Sequence, residues 1–318
     1  MTTFIVRRVL QSILVFFMIT LFIFLIMRLL PGDPIYMIIS KAAQETATEM
    51  DLEKIRHEYG LDRPMVVQYF DWLGGVFQGD FGVSIINNTD IGHELGKRLP
   101  ITLHLGFIAL IISFVFGIPA GVISAVRRGT WLDNIVTSLA NIGITIPVFW
   151  LAVVLMYAFA LKLQWLPVFG YTNPFDDFWM STKQLIMPIF CLSIGTIAGV
   201  ARMTRSSVLE VMNQDYIRTA WAKGLRERGV IIKHGMKNAM IPIVVFLGLG
   251  LSHIVGGSVL IETVFVIPGM GIFGVNAMSN SDYPVIQGVV MLFAVVVLVV
   301  NLLVDLSYGW LDPRVQYR

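Results

Sequence analysis

Six stretches of roughly twenty apolar residues run through this chain, and they decide what it can fold into. A helix rises 1.5 Å per residue, so about twenty apolar residues span the ~30 Å hydrocarbon layer of a bilayer. The stretches are about Val9–Leu30, Ile101–Val126, Asn134–Leu161, Leu185–Val200, Ala239–Ile261 and Val285–Tyr308. The fourth is the shortest and carries Pro188, Gly195, Thr196 and Gly199. Arg7-Arg8 precede the first, as in a secretory leader, but its apolar core is too long and no small-x-small cleavage site follows. It is therefore read as a retained span.

Composition agrees. Of 318 residues, 56% are apolar and 14% charged, against roughly 25% charged in soluble domains. A net charge of +2 offers no basic footprint for nucleic acid. The single cysteine, Cys191, excludes an internal disulfide and a cysteine-based zinc site.

Lys and Arg placement sets the expected orientation. With the N-terminus inside, segments 1–8, 127–133, 201–238 and 309–318 face the cytoplasm and hold 14 of the 23 basic residues. Outer segment 31–100 holds six bases against eleven acids. Both termini are expected to be cytoplasmic. Three regions follow: 1–30, a tail and first span; 31–100, an extracytoplasmic segment; and 101–318, a five-helix core with a cytoplasmic loop at 201–238. Within the outer segment, apolar residues at 66, 69, 70, 73, 76 and 77 predict an amphipathic helix capping the bundle or lying on the interface.

The chain shows no apparatus for chemistry. Gly92-His93-Glu94-Leu95-Gly96-Lys97 comes nearest to a phosphate-cradling loop, but it lacks one residue between its glycines and a Ser/Thr after the lysine. Proton coupling would need ionisable groups inside spans. His253, Glu262 and Asp305 are the candidates; Glu262 and Asp305 are expected at solvated helix ends in structural roles. Gly117/Gly121, Gly195/Gly199 and Gly248/Ser252/Gly256 recur at four-residue spacing, which lets helix backbones approach closely. Pro147 and Pro188 are read as positions that either bend their helices and free carbonyls toward a cavity or, as the favoured reading, pack statically.

The most informative stretch is 201–242. Ser207-x-x-Glu210 has the form of a capping box. A short helix is expected from Asp215, as N-cap, through Lys223, with Gly224 as its left-handed stop. A second helix would lead through Val230–Lys237 into the fifth span. Such a helix–glycine–helix elbow gives a partner a rigid knob. Small Ala220, Ala222 and Gly224 would allow close approach, while Arg218, Lys223, Arg226 and Arg228 would meet carboxylates. The competing reading is a basic loop that only fixes topology or touches anionic lipid.

Asp215-Tyr216-Ile217-Arg218-Thr219-Ala220-Trp221-Ala222-Lys223-Gly224-Leu225, with Lys237-Asn238-Ala239-Met240-Ile241-Pro242, resembles the coupling loop of ABC-transporter permeases of the dipeptide/oligopeptide/nickel class. The likeness extends over nearly the whole chain. It includes Leu30-Pro31-Gly32-Asp33-Pro34, Tyr59-Gly60-Leu61-Asp62-Arg63-Pro64, Gly79-Asp80-Phe81-Gly82, Arg202-Met203-Thr204-Arg205-Ser206-Ser207, Asp282-Tyr283-Pro284, Asn301-Leu302-Leu303-Val304-Asp305 and Asp312-Pro313-Arg314. The general importer motif places Glu-Ala-Ala before its glycine; here Arg218-Thr219-Ala220 stand there, so only Ala220 and Gly224 fit. The resemblance implies an all-α membrane protein of six helices with the type I importer permease fold, the first of two permease subunits. It implies a homologous second permease, two cytoplasmic ATPases using ATP and Mg, an extracytoplasmic binding protein and a peptide substrate, with no cofactor on this chain. It places ATPase coupling on Asp215, Tyr216, Arg218, Thr219, Ala220, Lys223, Gly224 and Leu225. The rival reading is a secondary transporter or channel working alone, which would need an inverted repeat, broken helices or an intramembrane charge network.

Overall fold

The computed structural model describes residues 2–29, 53–54, 57 and 62–311; at 2–3, 241, 247, 249, 251–255 and 308–311 only the backbone is described. The segment Leu30–Pro34, the Tyr59–Leu61 part of the second motif and Asp312–Arg314 lie outside the described residues. Apart from one isolated antiparallel bridge between Val83 and Asp90, the described residues form helices and connecting loops. In chain order the helices are α1 (Thr2–Leu29), α2 (Met65–Phe77), α3 (Ile91–Val126), α4 (Trp131–Thr145), α5 (Val148–Leu155, continued by a π-helical stretch Met156–Lys162), α6 (Phe178–Met212), α7 (Asp215–Ala222), α8 (Lys237–Val264), α9 (Met270–Ser279) and α10 (Tyr283–Leu311). One helical turn, Glu227–Gly229, and a second π-helical stretch, Val230–Met236, join α7 to α8.

Each of the six apolar stretches falls on a helix or a helix pair. Among the described residues, α1 from Phe4, α3, α6 and α10 up to Ser307 are long and apolar enough to cross a membrane, and the pair α4 and α5 makes a fifth if it is one span. The fifth predicted span lies on α8, a 28-residue helix whose middle is described only in backbone. The all-α membrane architecture is as expected; among the described residues four helices, or five with the bent pair counted as one span, have membrane-crossing character.

The third span is not one straight rod. α4 and α5 meet at Ile146-Pro147 with a bend of 100°. Pro147 has no N–H to continue the ladder, and the residue before a proline is pushed from the α region to extended backbone; Ile146 sits at φ −65°, ψ 125°. The expectation of static packing at Pro147 is thereby corrected. Pro188 lies within the unbroken α6.

The chain divides into two compact units. The first comprises Met1–Val9, Leu103–Ile267 and Val299–Arg318. Its helices are drawn together through small residues. A side chain at Gly117 would meet Val200 Cβ at 2.8 Å, one at Gly121 would meet Thr204 Cβ at 2.5 Å, and one at Gly143 would meet Ala198 Cβ at 3.1 Å. Gly199 faces the Phe246 ring and Gly248 faces Val304. α6 is thus the spine against which α3, α4 and α8 pack. Buried Val200 and Ile243 form a core there with Phe114, Ile118, Met203 and Phe246 around them. Among the described residues nothing lies within 4 Å of where a side chain at Gly256 would begin, so its four-residue spacing marks no contact there.

The second unit comprises Leu10–Thr102 and Pro268–Leu298. The expected amphipathic helix is α2. Tyr69 and Leu73, one turn apart, pack with Phe24 of α1, and Tyr69 Oη lies 2.8 Å from Thr20 Oγ1. Val66, Phe70 and Phe77 of the same apolar stripe are exposed. Ile91 and Leu95 of α3 pack with Met270, Ala277, Val285 and Val289 from α9 and α10. Buried Asp282, before α10, accepts from Ser84 Oγ and from Ile85 N, the latter at 3.3 Å, and so fixes the loop that carries Gly79-Asp80-Phe81-Gly82.

Candidate functional site

The elbow at 213–236 begins later than its apolar pattern implies. α6 continues to Met212, so residues 201–212 of the expected loop belong to a helix about 52 Å long at 1.5 Å per residue. Ser207 and Glu210 therefore lie inside α6 and form no capping box. The cause is sequence pattern: Ala201, Thr204 and Val208 are buried at helical spacing while Arg202 and Glu210 are not, so the helix outlasts its purely apolar stretch.

α7 starts one residue from the expected position. Gln214 is the N-cap and Asp215 the first helical residue, where a carboxylate suits the positive end of the helix dipole. Lys223 is the C-cap, and Gly224 follows at φ +73° with its N–H donating to Trp221 O at 2.9 Å. Among the described residues, its chain neighbours aside, no atom lies within 4 Å of where a side chain at Gly224 would begin. Glycine is required there by backbone conformation, not by space.

The helix has two unlike faces. Ile217 and Ala220 point inward and pack with Val230 of the π-helical stretch and with Val211 and Met212 at the end of α6. Asp215, Tyr216, Arg218, Thr219, Lys223, Gly224 and Leu225 are exposed. Ala220, 6% exposed, is small because the inner face requires it, which corrects the reading that it admits a partner. On the outer face Arg218 Nη1 is 3.3 Å from Asp215 Oδ1, both well solvated, so the pair contributes little. Trp221 and Leu225 stand about as exposed as Tyr216. The elbow is a packed knob with an aromatic and basic outer surface.

Two hydrogen-bonded features anchor it. Asn238 Nδ2 donates to Tyr216 Oη at 2.8 Å, joining α7 to the first turn of α8. Two turns before the end of α6, Arg205 Nε and Nη2 donate to Asp133 Oδ1 and Oδ2 at 2.8 and 2.9 Å. The same carboxylate accepts from Ser124 Oγ at the end of α3 and from Gly129 N in the α3–α4 turn, at 2.9 Å for the latter. Asp133 is 4% exposed. Sequence reading passed over this cluster; its only signal was an aspartate in the first turn after Thr130, which looks like any helix start.

The ionisable candidates resolve differently. Asp305 is ion-paired with Arg8 at 3.2 Å, both half exposed. Glu262 is fully buried, not solvated: the chain beyond it, at Phe265 and Ile267, is itself buried, so the helix ends inside protein. Glu262 and Ser258, one turn earlier, are both engaged in interactions. The side chain of His253 lies outside the described residues.

Long apolar helices, one of them ending in a packed elbow, define a multi-pass membrane component. Residues 117–317 match the family described as the binding-protein-dependent transport system inner membrane component, and residues 1–106 match the N-terminal region of such membrane components. The "Probable peptide ABC transporter permease protein y4tP" of Sinorhizobium fredii is 41% identical over 317 residues, covering 100% of both chains. The oligopeptide transport system permease protein AppB of Bacillus subtilis is 39% identical over 320 residues, again covering 100% of both. A chain of the inward-facing MetNI methionine ABC transporter superposes with a TM-score of 0.57 at 22% identity, over 69% of this chain and 96% of that one. That likeness establishes the fold, a type I ABC importer permease. The chain belongs to the binding-protein-dependent transport system inner membrane component family, and is a permease component of an ABC transporter.

Proposed function

We propose that this chain forms half of the translocation path of an ATP-driven peptide importer, paired with a homologous permease. Two cytoplasmic ATPase subunits clamp on the elbows of the pair, and one seats on residues 215–225 of this chain. An extracytoplasmic binding protein delivers a di- or oligopeptide. The observation that carries the coupling role is the division of α7 into an inner face locked on α6 and an outer face left to solvent. A knob built this way passes a rigid-body motion into the helices behind it. ATP binding closes the ATPases and draws the elbows together; hydrolysis, with Mg, occurs on the partners and resets the path. The chain itself catalyses nothing and holds no cofactor.

The peptide substrate is supported by the two full-length relatives whose names carry it. The orientation, with termini and elbow in the cytoplasm and 31–100 outside, is supported by the basic residues at 202–237. The test is uptake of labelled peptide into vesicles containing this permease pair, with ATPase and binding protein present or withheld. Uptake needing both supports the proposal. Uptake by this chain alone, driven by a proton gradient, would establish the stand-alone transporter instead.

A further inference from the structure

Helix α4 packs along α6, and two of the contacts between them differ in kind. Near the Pro147 break, Gly143 lies against Ala198, close enough that any side chain there would crowd it. Ten residues earlier, about 15 Å along the helix, Asp133 holds Arg205 in a two-pronged, charge-assisted fork. Apolar contacts between helices can slide by small increments. A planar guanidinium on a carboxylate that also binds Ser124 Oγ and Gly129 N has one register only.

Arg205 also lies two turns before the place where Val211 and Met212 support Ile217 and Ala220 of the elbow. A displacement of the elbow enters the end of α6 first and reaches the fork next. Beyond the fork, α4 runs to the 100° bend at Ile146-Pro147.

From this arrangement we infer that Asp133 and Arg205 are a positioning pair for transport. They make α4 move with the elbow-bearing end of α6, so that motion of the elbow is delivered to the bend at Pro147 rather than lost in sliding between helices. Neither residue touches the exposed face of the elbow, and neither needs to meet substrate. The inference rests on the elbow being the ATPase seat.

The experiment uses the complete transporter in vesicles. Asp133→Asn keeps the side chain's shape but removes the charge and one of the two accepting oxygens, so one prong of the fork is lost. The expected result is uptake per assembled complex lowered about tenfold, with peptide KM unchanged and ATP still hydrolysed. Arg205→Lys, which keeps the charge without the fork, falls between Asp133→Asn and wild type. Asp133→Asn combined with Arg205→Gln is no worse than the poorer single variant. Uptake per assembled complex within about twofold of wild type in these variants, even if less complex assembles, would mean a purely structural pair and overturn the inference. Should Asp133→Asn fail to assemble, spin labels at exposed Trp131 and Trp221 in an otherwise unaltered chain decide the matter. Their separation is expected to hold within about 2 Å between nucleotide-free and ATP-trapped states, whereas a change of about 5 Å, one helical turn of slip, overturns it. Wild-type uptake that ignores ATP would instead condemn the elbow's role as the ATPase seat, an outcome separable from failure of the pair.

Discussion

Asn238 donates its amide hydrogen to the Tyr216 hydroxyl at 2.8 Å, bridging twenty-two residues of chain across the mouth of the elbow. The bond sits on the exposed side, so a partner seated there meets a tyrosine already held in place. An exposed neutral bond contributes about 0.5–1.5 kcal/mol. Tyr216→Phe and Asn238→Ala are each expected to lower peptide uptake a few-fold, and the double variant no further. Vesicle uptake assays on the three variants check this; losses that multiply would show two independent roles.

Gly224 offers a sharper contrast. Its φ of +73° is reached by asparagine at modest cost and by alanine at about 1–2 kcal/mol, but not by proline, whose ring fixes φ near −65°. Open space around the position removes steric objections to a side chain. Gly224→Asn should therefore retain most uptake and Gly224→Ala somewhat less. Gly224→Pro should abolish both uptake and peptide-stimulated ATP hydrolysis while the chain still inserts. Normal stimulated hydrolysis in the proline variant would refute the coupling role of the elbow.

Ala220→Asp should fail for a different reason from the one its small size first suggests. The carboxylate would be buried among Ile217, Val230 and Met212 with no basic partner in that cluster. An unpaired buried charge costs several kcal/mol, so α7 should detach from α6. Protease accessibility at Arg218 and Lys223 should rise in step with loss of uptake.

Gly121 packs face to face with Thr204, and a side chain there would also strike the Ala201 carbonyl oxygen. Gly121→Val is expected to force α3 away from α6 and prevent assembly, visible as loss of the purified complex. Gly256→Ala, with open space around it, should assemble normally.

Asp305 should tolerate loss of its charge. Its contact with Arg8 joins two half-exposed groups, and such pairs contribute about 0–1 kcal/mol. Asp305→Asn should leave uptake nearly unchanged from pH 6 to pH 8. A loss that changes steeply with pH would return proton coupling to consideration.

Much of this architecture was readable from the chain because each feature had a local cause. Apolar length located the helices, and the glycine after Lys223 located the stop of α7. Tyr69 and Leu73 announced α2 by their spacing. What escaped reading depends on partners distant in sequence. Nothing near Asp133 reveals Arg205, seventy-two residues on. Ala220 looks like a surface contact until Val230 is folded over it. Ser207 and Glu210 mimic a helix start because capping patterns also occur inside helices. Pro147 and Pro188 look alike in sequence, yet one breaks its span and the other does not; Pro188 is buried within α6, whereas Pro147 is exposed. Glu262 seemed placed for water because the descent of the chain behind it could not be foreseen.

The corner at Ile146-Pro147 carries one more implication. Where a helix stops at Thr145 and another restarts at Val148, several carbonyls lose their in-helix donors. Thr145 turns its own hydroxyl back on Asn141 and Ile142 and so cannot serve them. Lipid tails have nothing to give such groups, and bare backbone facing them is not tolerated. At hydrocarbon depth such a corner needs another protein or a wet passage beside it, and a solitary copy of the chain would have to find one.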